Sequence, residues 1–343
     1  MQDFAWLAET ALGQDVHVLT RDSAELGAAA AARGLLGGGL DPGEVERAVQ
    51  RLGASVVHAH NLLPAFGWRA LAAARRAGAR TVLHLHNYRL VCAVGTCFTR
   101  GADCTRCHGR NTAPGVRLNC RGTGPEAVVY GVALATWQHR MVEHADVVVV
   151  PSAAAAARLR ELGAPLPDDV RVIPHLVRDI ADAPRFTPDG PALVASRLAP
   201  EKGVDTAIAA CARAGVPLVV AGDGPVRFAP ADGVTFAGRV PADELARLRA
   251  AASVAIVPSR SAETFGLAAA EAMAAGLPVV ATRIGALPDL VDDLAEPGDP
   301  GSLAAAITRV RGDRAVAERN LEKIRATASP EVVAPLLAAA YGL

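Results

Sequence analysis

Short, nearly unbroken apolar runs separated by helix-like stretches constrain this chain more than any other feature. SVVHAH (55–60), RTVLHLH (80–86), ADVVVVPS (145–152), PALVAS (191–196), VPLVVAGDG (216–224), VAIVPS (254–259) and PVVATRIG (278–285) are of this kind. A strand with one wet face alternates polar and apolar residues. Runs of Val, Ile, Leu and Ala without that alternation belong to strands covered on both faces. Between them lie helix-like pieces: PGEVERAVQRLG (42–53), with Pro in its first turn, GWRALAAARRAG (67–78), and stretches near 126–144, 203–214 and 242–251. Strand–helix alternation brings successive strands into parallel pairing, with helices on both faces. DVHVLT (15–20), VRVIPHLV (170–177) and VTFAGRV (234–240) also read as strands. The expected class is α/β, with doubly wound parallel sheets.

A chain of 343 residues is long enough for about two domains. A polar, Pro- and Asp-rich break at 178–190 separates two sets of strands. The expected division is a first Rossmann-like domain over 1–168, with a cysteine-rich insertion at 87–125, and a second over 169–328. A terminal helix over 329–343 would return to the first domain. In such sheets ligands bind beyond the C-terminal strand ends, here in a cleft between the domains. The opening is unusual. A Rossmann-like domain normally begins with an apolar strand and a glycine-rich turn, but this chain begins on helix-like DFAWLAETALG (3–13). The first strand is therefore expected to be missing, as in a truncated chain.

Thirty-five basic residues balance 35 acidic ones, so no net charge draws the chain to nucleic acid. No leader-like segment opens it, and no apolar run approaches the roughly 20 residues that span a bilayer. VVYGVALATW (128–137) is too short to span, but suits a helix lying on a surface. The expectation is a soluble cytoplasmic protein, with peripheral contact at the inner membrane face left open.

The second half carries the chemistry. SRLAPEKG (196–203) puts Arg197 and Lys202 at the mouth of a helix, and two cations with free helix amides suit a diphosphate. AGDGP (221–225) is a tight turn in which Gly222 and Gly224 permit close backbone approach. ETFGLAAAE (263–271) sets Glu263 in a loop before a helix, where a carboxylate can accept from sugar hydroxyls. The amides near Phe265, Gly266 and Leu267 then face an anion, and Glu271 can take a second pair of hydroxyls, such as a ribose. The plainer reading makes both glutamates solvated helix residues.

Together SRLAPEKG, AGDGP, PSRSAETFGLAAAEAMAAGLPVVAT and IGALPDLV resemble the donor half of family 4 retaining glycosyltransferases of GT-B fold. VVHAHNLLP (56–64) and LHLHNYRLVC (83–92) resemble the first half of one subgroup, and the likeness runs from about residue 15 onward. It implies that Arg197 and Lys202 hold the diphosphate and stabilise the leaving group. Glu271 would bind the ribose. Glu263 and the amides of Phe265, Gly266 and Leu267 would hold the donor sugar and β-phosphate. His86 would contact that sugar from the other domain, with His60 beside it on the acceptor side. The implied partners are a nucleotide-diphosphate sugar and a saccharide or lipid-linked acceptor. No metal is needed for transfer, and the donor's own diphosphate acts as base in front-face attack. The chain departs from the pattern at the first strand and glycine loop, at Gly285-Ala286 in place of two glycines, and at Pro174-His175 in place of Pro-Asn. The first departure puts turnover in question. A nucleotide-sugar binding protein without turnover is thus the main rival. A nucleotide-sugar epimerase is another, and a metal-dependent interaction module a third.

Two clusters remain. Strand alternation sends His58 and His60 to one face, and likewise His84 and His86, with His84 read as structural. Cys92, Cys104, Cys107 and Cys120 are separated by 11, 2 and 12 residues, a spacing that suits a tetrahedral structural zinc, with Cys97 and His108 as rival ligands. Reduced thiols in a packed loop are the alternative. Cys211 stands alone on a helix face and reads as core.

Overall fold

The computed structural model describes residues 2–343 and divides into two compact units. The first takes in residues up to Thr99, Cys104–Ile173 and Ala334–Leu343; the second takes in Arg100–Asp103 and Pro174–Val333. Both are parallel-sheet units of Rossmann type, as the expected GT-B fold requires.

In the first unit β1 (Val56–His60), β2 (Arg80–His84), β5 (Val147–Val150) and β6 (Arg171–Val172) pair in parallel in the order β1-β2-β5-β6. All four residues of β5 are buried, as the unbroken VVVV run requires. Helices Pro42–Leu52 and Gly67–Arg76 pack Val45, Val49, Ala70 and Ala74 together on one side. The chain's last turn returns to this unit, where the Ala340 carbonyl accepts from Arg80 Nε at 3.0 Å. A small ribbon, β3 (Phe98–Thr99) with β4 (Ala102–Asp103), lies within the cysteine segment.

Two sequence readings are corrected here. DVHVLT forms no strand: Val18 and Leu19 are 55% and 41% exposed. A strand exists only when another strand supplies its ladder, and β1 has β2 as its single strand neighbour. The stretch 170–177 forms a strand only over Arg171–Val172, and that strand joins the first sheet. The first unit therefore runs to Ile173 and not to 168. Among the described residues no strand precedes Val56, and no helix is long and apolar enough to cross a membrane.

The second unit has six parallel strands: β7 (Ala192–Ala195), β8 (Leu218–Ala221), β9 (Val234–Gly238), β10 (Val254–Val257), β11 (Val279–Thr282) and β12 (Leu294–Ala295). Their order is β12-β11-β10-β7-β8-β9. Successive residues point to opposite faces, and both faces are covered. Ala192, Val194, Val254, Ile256 and Val280 join one core with Ala207, Leu303 and Ile307. Leu193, Ala255, Val257, Val279 and Ala281 join the other with Ala269, Ala270 and Met273. The chain runs outward from β7 to β9, then returns to lay β10 against the other side of β7. This reversal opens a crevice at the C-terminal ends of β7 and β10, where doubly wound sheets bind their ligands.

Candidate functional site

That crevice holds the charged residues of the two principal motifs. After β7 the backbone makes a single 3-10 turn, Pro200–Lys202, then enters the helix Val204–Ala214. After β10 it runs through Ser259, Arg260 and Glu263 into the helix Leu267–Ala274. The Arg260 amide donates to the Glu201 carbonyl at 2.8 Å, tying the two loops together. Lys202 Nζ stands 2.6 Å from Glu263 Oε1, and the Ser259 hydroxyl donates to that same oxygen at 2.6 Å. Lys202 and Glu263 are 27% and 18% exposed, so the pair sits in a partly dry pocket and remains reachable. Arg197 is mostly exposed and pairs with the nearly buried Glu201.

Backbone geometry tightens the same place. Gly222 has φ +142, and a side chain there would meet the Ser196 carbonyl oxygen at 1.9 Å. The AGDGP turn carrying Gly222 and Gly224 therefore lies directly on the Arg197 loop, joined by a Leu198 amide to Asp223 carbonyl bond of 2.9 Å. Gly285, at φ +58, leaves room for the Glu263 backbone, whose nitrogen and oxygen would both lie 2.4 Å from an added Cβ. Ala286, the departure from a double glycine, has φ −83 and needs no special freedom. Its amide donates to the Glu263 carbonyl at 2.9 Å. Gly266, at φ +95, is the N-cap of the Leu267–Ala274 helix and offers no side chain to its first-turn amides. Those amides and the helix dipole favour an anion. Phe265 is buried, with the His175 ring edge-on to it at 5.4 Å, so the other departure, Pro174-His175, packs behind the motif. Glu271, one turn into the helix, pairs with Arg249 Nη2 at 2.5 Å.

Arg197, Lys202, Gly222, Gly224, Glu263, Phe265, Gly266, Leu267 and Glu271 thus all fall at or just beyond the C-terminal ends of β7, β8 and β10. Sequence reasoning missed Ser259, Glu201 and Arg249, the side chains that hold these groups in place. Ser259 lies within the motif run, where its spacing to Glu263 was available as a signal. Arg249 lies 22 residues before Glu271 on a separate helix, and no local pattern marks it.

In the first unit, four histidines gather at the ends of β1 and β2. His60 Nδ1 and His86 Nε2 are 2.6 Å apart, and His58 Nε2 and His84 Nδ1 are 3.2 Å apart. His58 Nδ1 meets the Tyr341 hydroxyl at 2.9 Å, and the Phe4 ring packs on His58, His60 and His84. The two pairs read from the sequence are therefore one stack. Burial, with His86 nearby, pushes His58 down to about 3, so it is neutral at physiological pH. Ring nitrogens of His58, His60 and His84 lie within 4.8 Å of one another, near enough for one cation to bridge them. Tyr341 and His84 already engage both nitrogens of His58.

Cys92, Cys104, Cys107 and Cys120 line one small cavity together with Cys97. His108 is not among its lining residues; its ring lies against Gly163. Cys211 is 1% exposed in the core of the second unit, where burial pushes its thiol up to about 12.

Residues 3–175 match the family model described as Glycosyl transferase 4-like domain, and residues 191–313 match that of Glycosyl transferases group 1. The D-inositol 3-phosphate glycosyltransferase of Acidothermus cellulolyticus is 36% identical over 210 residues, which are 50% of this chain and 46% of that protein. A glycogen synthase of Mycobacterium tuberculosis is 34% identical over 217 residues, 56% of this chain and 51% of that one. The chain spans about half the length of the curated relatives it matches. Among solved structures, sucrose-phosphate synthase from Thermosynechococcus elongatus aligns with a TM-score of 0.63 at 22% identity, covering 88% of this chain and 77% of that one. Anabaena HepE in complex with UDP and glucose aligns with a TM-score of 0.60 at 20% identity, covering 87% and 80%.

Proposed function

The chain belongs to the glycosyl transferase 4-like and group 1 family of glycosyltransferases, and from that premise we propose that it moves a sugar from a nucleotide-diphosphate donor to a saccharide or lipid-linked acceptor with retention of configuration. The observation that carries this reading is the convergence of Lys202, Ser259 and Glu263 at the point where the second sheet reverses direction, beside the N-terminus of the Leu267–Ala274 helix. Such a place suits a phosphate and a polyol together.

In this reading Lys202 and Arg197 take the diphosphate, and their charge stabilises the leaving group as its bond to the sugar breaks. A divalent metal is then not required. The Phe265, Gly266 and Leu267 amides face the β-phosphate. Glu263 accepts from the donor sugar's hydroxyls, and Glu271, oriented by Arg249, accepts from the ribose. Gly222 and Gly224 keep the opposite wall close. On the first unit, His60 and His86, in contact at 2.6 Å, are the proposed functional histidines. The proposed place of action is the cytoplasm, at the inner membrane face when the acceptor is lipid-linked.

The test is a thermal-shift panel of UDP, GDP, ADP, CDP and TDP. UDP comes first because HepE, a neighbour of the same fold, was solved with UDP. A nucleotide at 100 times its Kd adds about 2.7 kcal/mol to the folded state. The expected result is a shift with one nucleotide that is lost in Arg197→Ala and Glu271→Ala. No shift with any nucleotide from a folded sample removes the donor site. A shift without acceptor-dependent release of free nucleotide reduces the protein to a binder.

A further inference from the structure

Five of the six cysteines surround one enclosed space that glycosyl transfer does not use. The segment 92–120 is assembled from turns with little regular structure. Cys92 ends a turn whose amide donates to the Tyr88 carbonyl at 2.9 Å. Cys97 and Cys104 flank the β3–β4 ribbon, and the Cys104 amide donates to the Cys97 carbonyl at 2.7 Å. Cys107 follows three residues later, its sulfur 3.3 Å from where a Cβ on Gly115 would stand. Cys120 follows the short helix Ala113–Arg117, and its amide donates to the Gly115 carbonyl at 3.0 Å. Three non-glycine residues here hold positive φ: Cys97 at 51°, Arg100 at 51° and Asn119 at 47°. Each such residue costs about 1–3 kcal/mol, so something must hold the segment in this shape.

What the segment encloses is a cavity of about 20 Å³, lined by Cys92, Cys97, Cys104, Cys107 and Cys120. A water-sized occupant needs roughly 10–15 Å³ on the same measure, so there is room for one. A void lined by sulfur offers a water few good hydrogen-bond partners. It offers a soft divalent cation four thiols around one space; among the described residues only His58, His60 and His84 already hold three such ligand atoms within 4.8 Å of one another, so the sulfurs draw together as the ion enters. The Cys97 thiol hydrogen-bonds the Cys92 sulfur, so it can support that sulfur from outside the ligand set. Arg106 on the cavity wall offsets part of the thiolate charge.

We propose that Cys92, Cys104, Cys107 and Cys120 hold one structural zinc ion in this cavity, with Cys97 as the hydrogen-bonding support of Cys92. Binding deprotonates the four thiols, forms four zinc–sulfur bonds and releases the thiol protons to solvent; no oxidant or reductant takes part. The ion replaces the core that so irregular a segment lacks, because the free energy of metal binding becomes folding free energy. This proposal does not depend on the donor or acceptor of the transfer reaction.

The experiment measures zinc in the full-length protein purified without chelators. The expected result is about one zinc per chain in the wild type, in Cys211→Ser and in Cys97→Ser, and none in Cys104→Ser or Cys107→Ser. Cobalt put in place of zinc should give intense thiolate-to-metal charge-transfer absorption and the visible bands of a tetrahedral site. Should the serine variants fail to fold, organomercurial titration of the wild type gives the same answer, since zinc must be released as the thiols are modified. Folded wild type without zinc overturns the proposal. So does zinc that persists in Cys104→Ser or after every thiol has reacted, which would move the metal to the histidine stack. Loss of zinc in Cys97→Ser overturns the four-ligand set.

Discussion

Lys202 holds its ammonium against Glu263 while Ser259 donates to the same carboxylate oxygen, so a phosphate arriving at this lysine competes with a carboxylate already there. That competition separates two substitutions. Lys202→Ala leaves a partly dry carboxylate with only its serine. We expect a stability loss of about 1–3 kcal/mol, below the 3–5 of a fully buried pair because both side chains keep some water. It should also weaken nucleoside-diphosphate binding about 10- to 100-fold, the worth of one charge-assisted hydrogen bond. Glu263→Gln keeps the shape and an acceptor for Ser259 while releasing Lys202. Nucleoside diphosphate should then bind at least as tightly as to the wild type, while turnover of the sugar nucleotide falls. Calorimetric titration of both variants checks this, and equal weakening in the two would remove the competition between carboxylate and phosphate. The sequence made Lys202 and Glu263 legible because each sits in a motif with its own local grammar. It hid their pairing, since 61 residues separate them and only the return of β10 beside β7 joins them.

At the scale of elements, β1 and β2 pair with His60 opposite His84, and alternation then stacks four imidazoles on one face beneath the Phe4 ring. The sequence gives the facing of each strand, but not which strands are neighbours, so it yielded two pairs where the fold makes one stack. DVHVLT failed for a related reason: its alternation is a statement about faces, and a strand also needs a partner. The buried strands of the second unit were fully legible, because runs such as VAIV leave no face for water and so demand helices on both sides. The stack has a pH consequence. His58 is packed among Phe4, His60, His84 and the Tyr341 hydroxyl, and its affinity for a proton falls to about 3 in the fold against 6.5 when free. The unfolded chain therefore binds the extra proton as pH drops below about 6.5, and stability falls with pH until about 3. The slope from this one group is up to about 1.4 kcal/mol per pH unit, and above pH 6.5 it contributes nothing. Denaturant unfolding of wild type and His58→Asn at pH values from 7 to 4.5 should give a shallower decline in the variant. Parallel declines would mean that His58 takes up its proton without unfolding.

For the molecule as a whole, the two units carry separate sheets and cores, and two separate ligands are assigned to them. Hydrogen exchange can read both in one sample, because it reports where amides are protected as well as how much. A nucleotide diphosphate bound as proposed should slow exchange in four loops of the second unit: 196–203, 222–226, 259–268 and 283–287. These surround one crevice although the sequence scatters them, since each follows a different strand of the same parallel sheet. Zinc removal by a chelator should instead speed exchange across 92–120, where few backbone bonds belong to regular structure and the metal replaces a core. The two footprints should not exchange places: nucleotide leaves 92–120 to its own rate, and chelator leaves the four loops to theirs. Nucleotide protection confined to the cysteine segment would assign the phosphate to the wrong unit. Chelator-induced exchange centred on 56–60 and 80–86 would place the metal among the histidines. Only protection of the four loops by nucleotide, together with chelator sensitivity of 92–120, fits a chain whose second sheet binds the donor and whose first unit is held in shape by a metal.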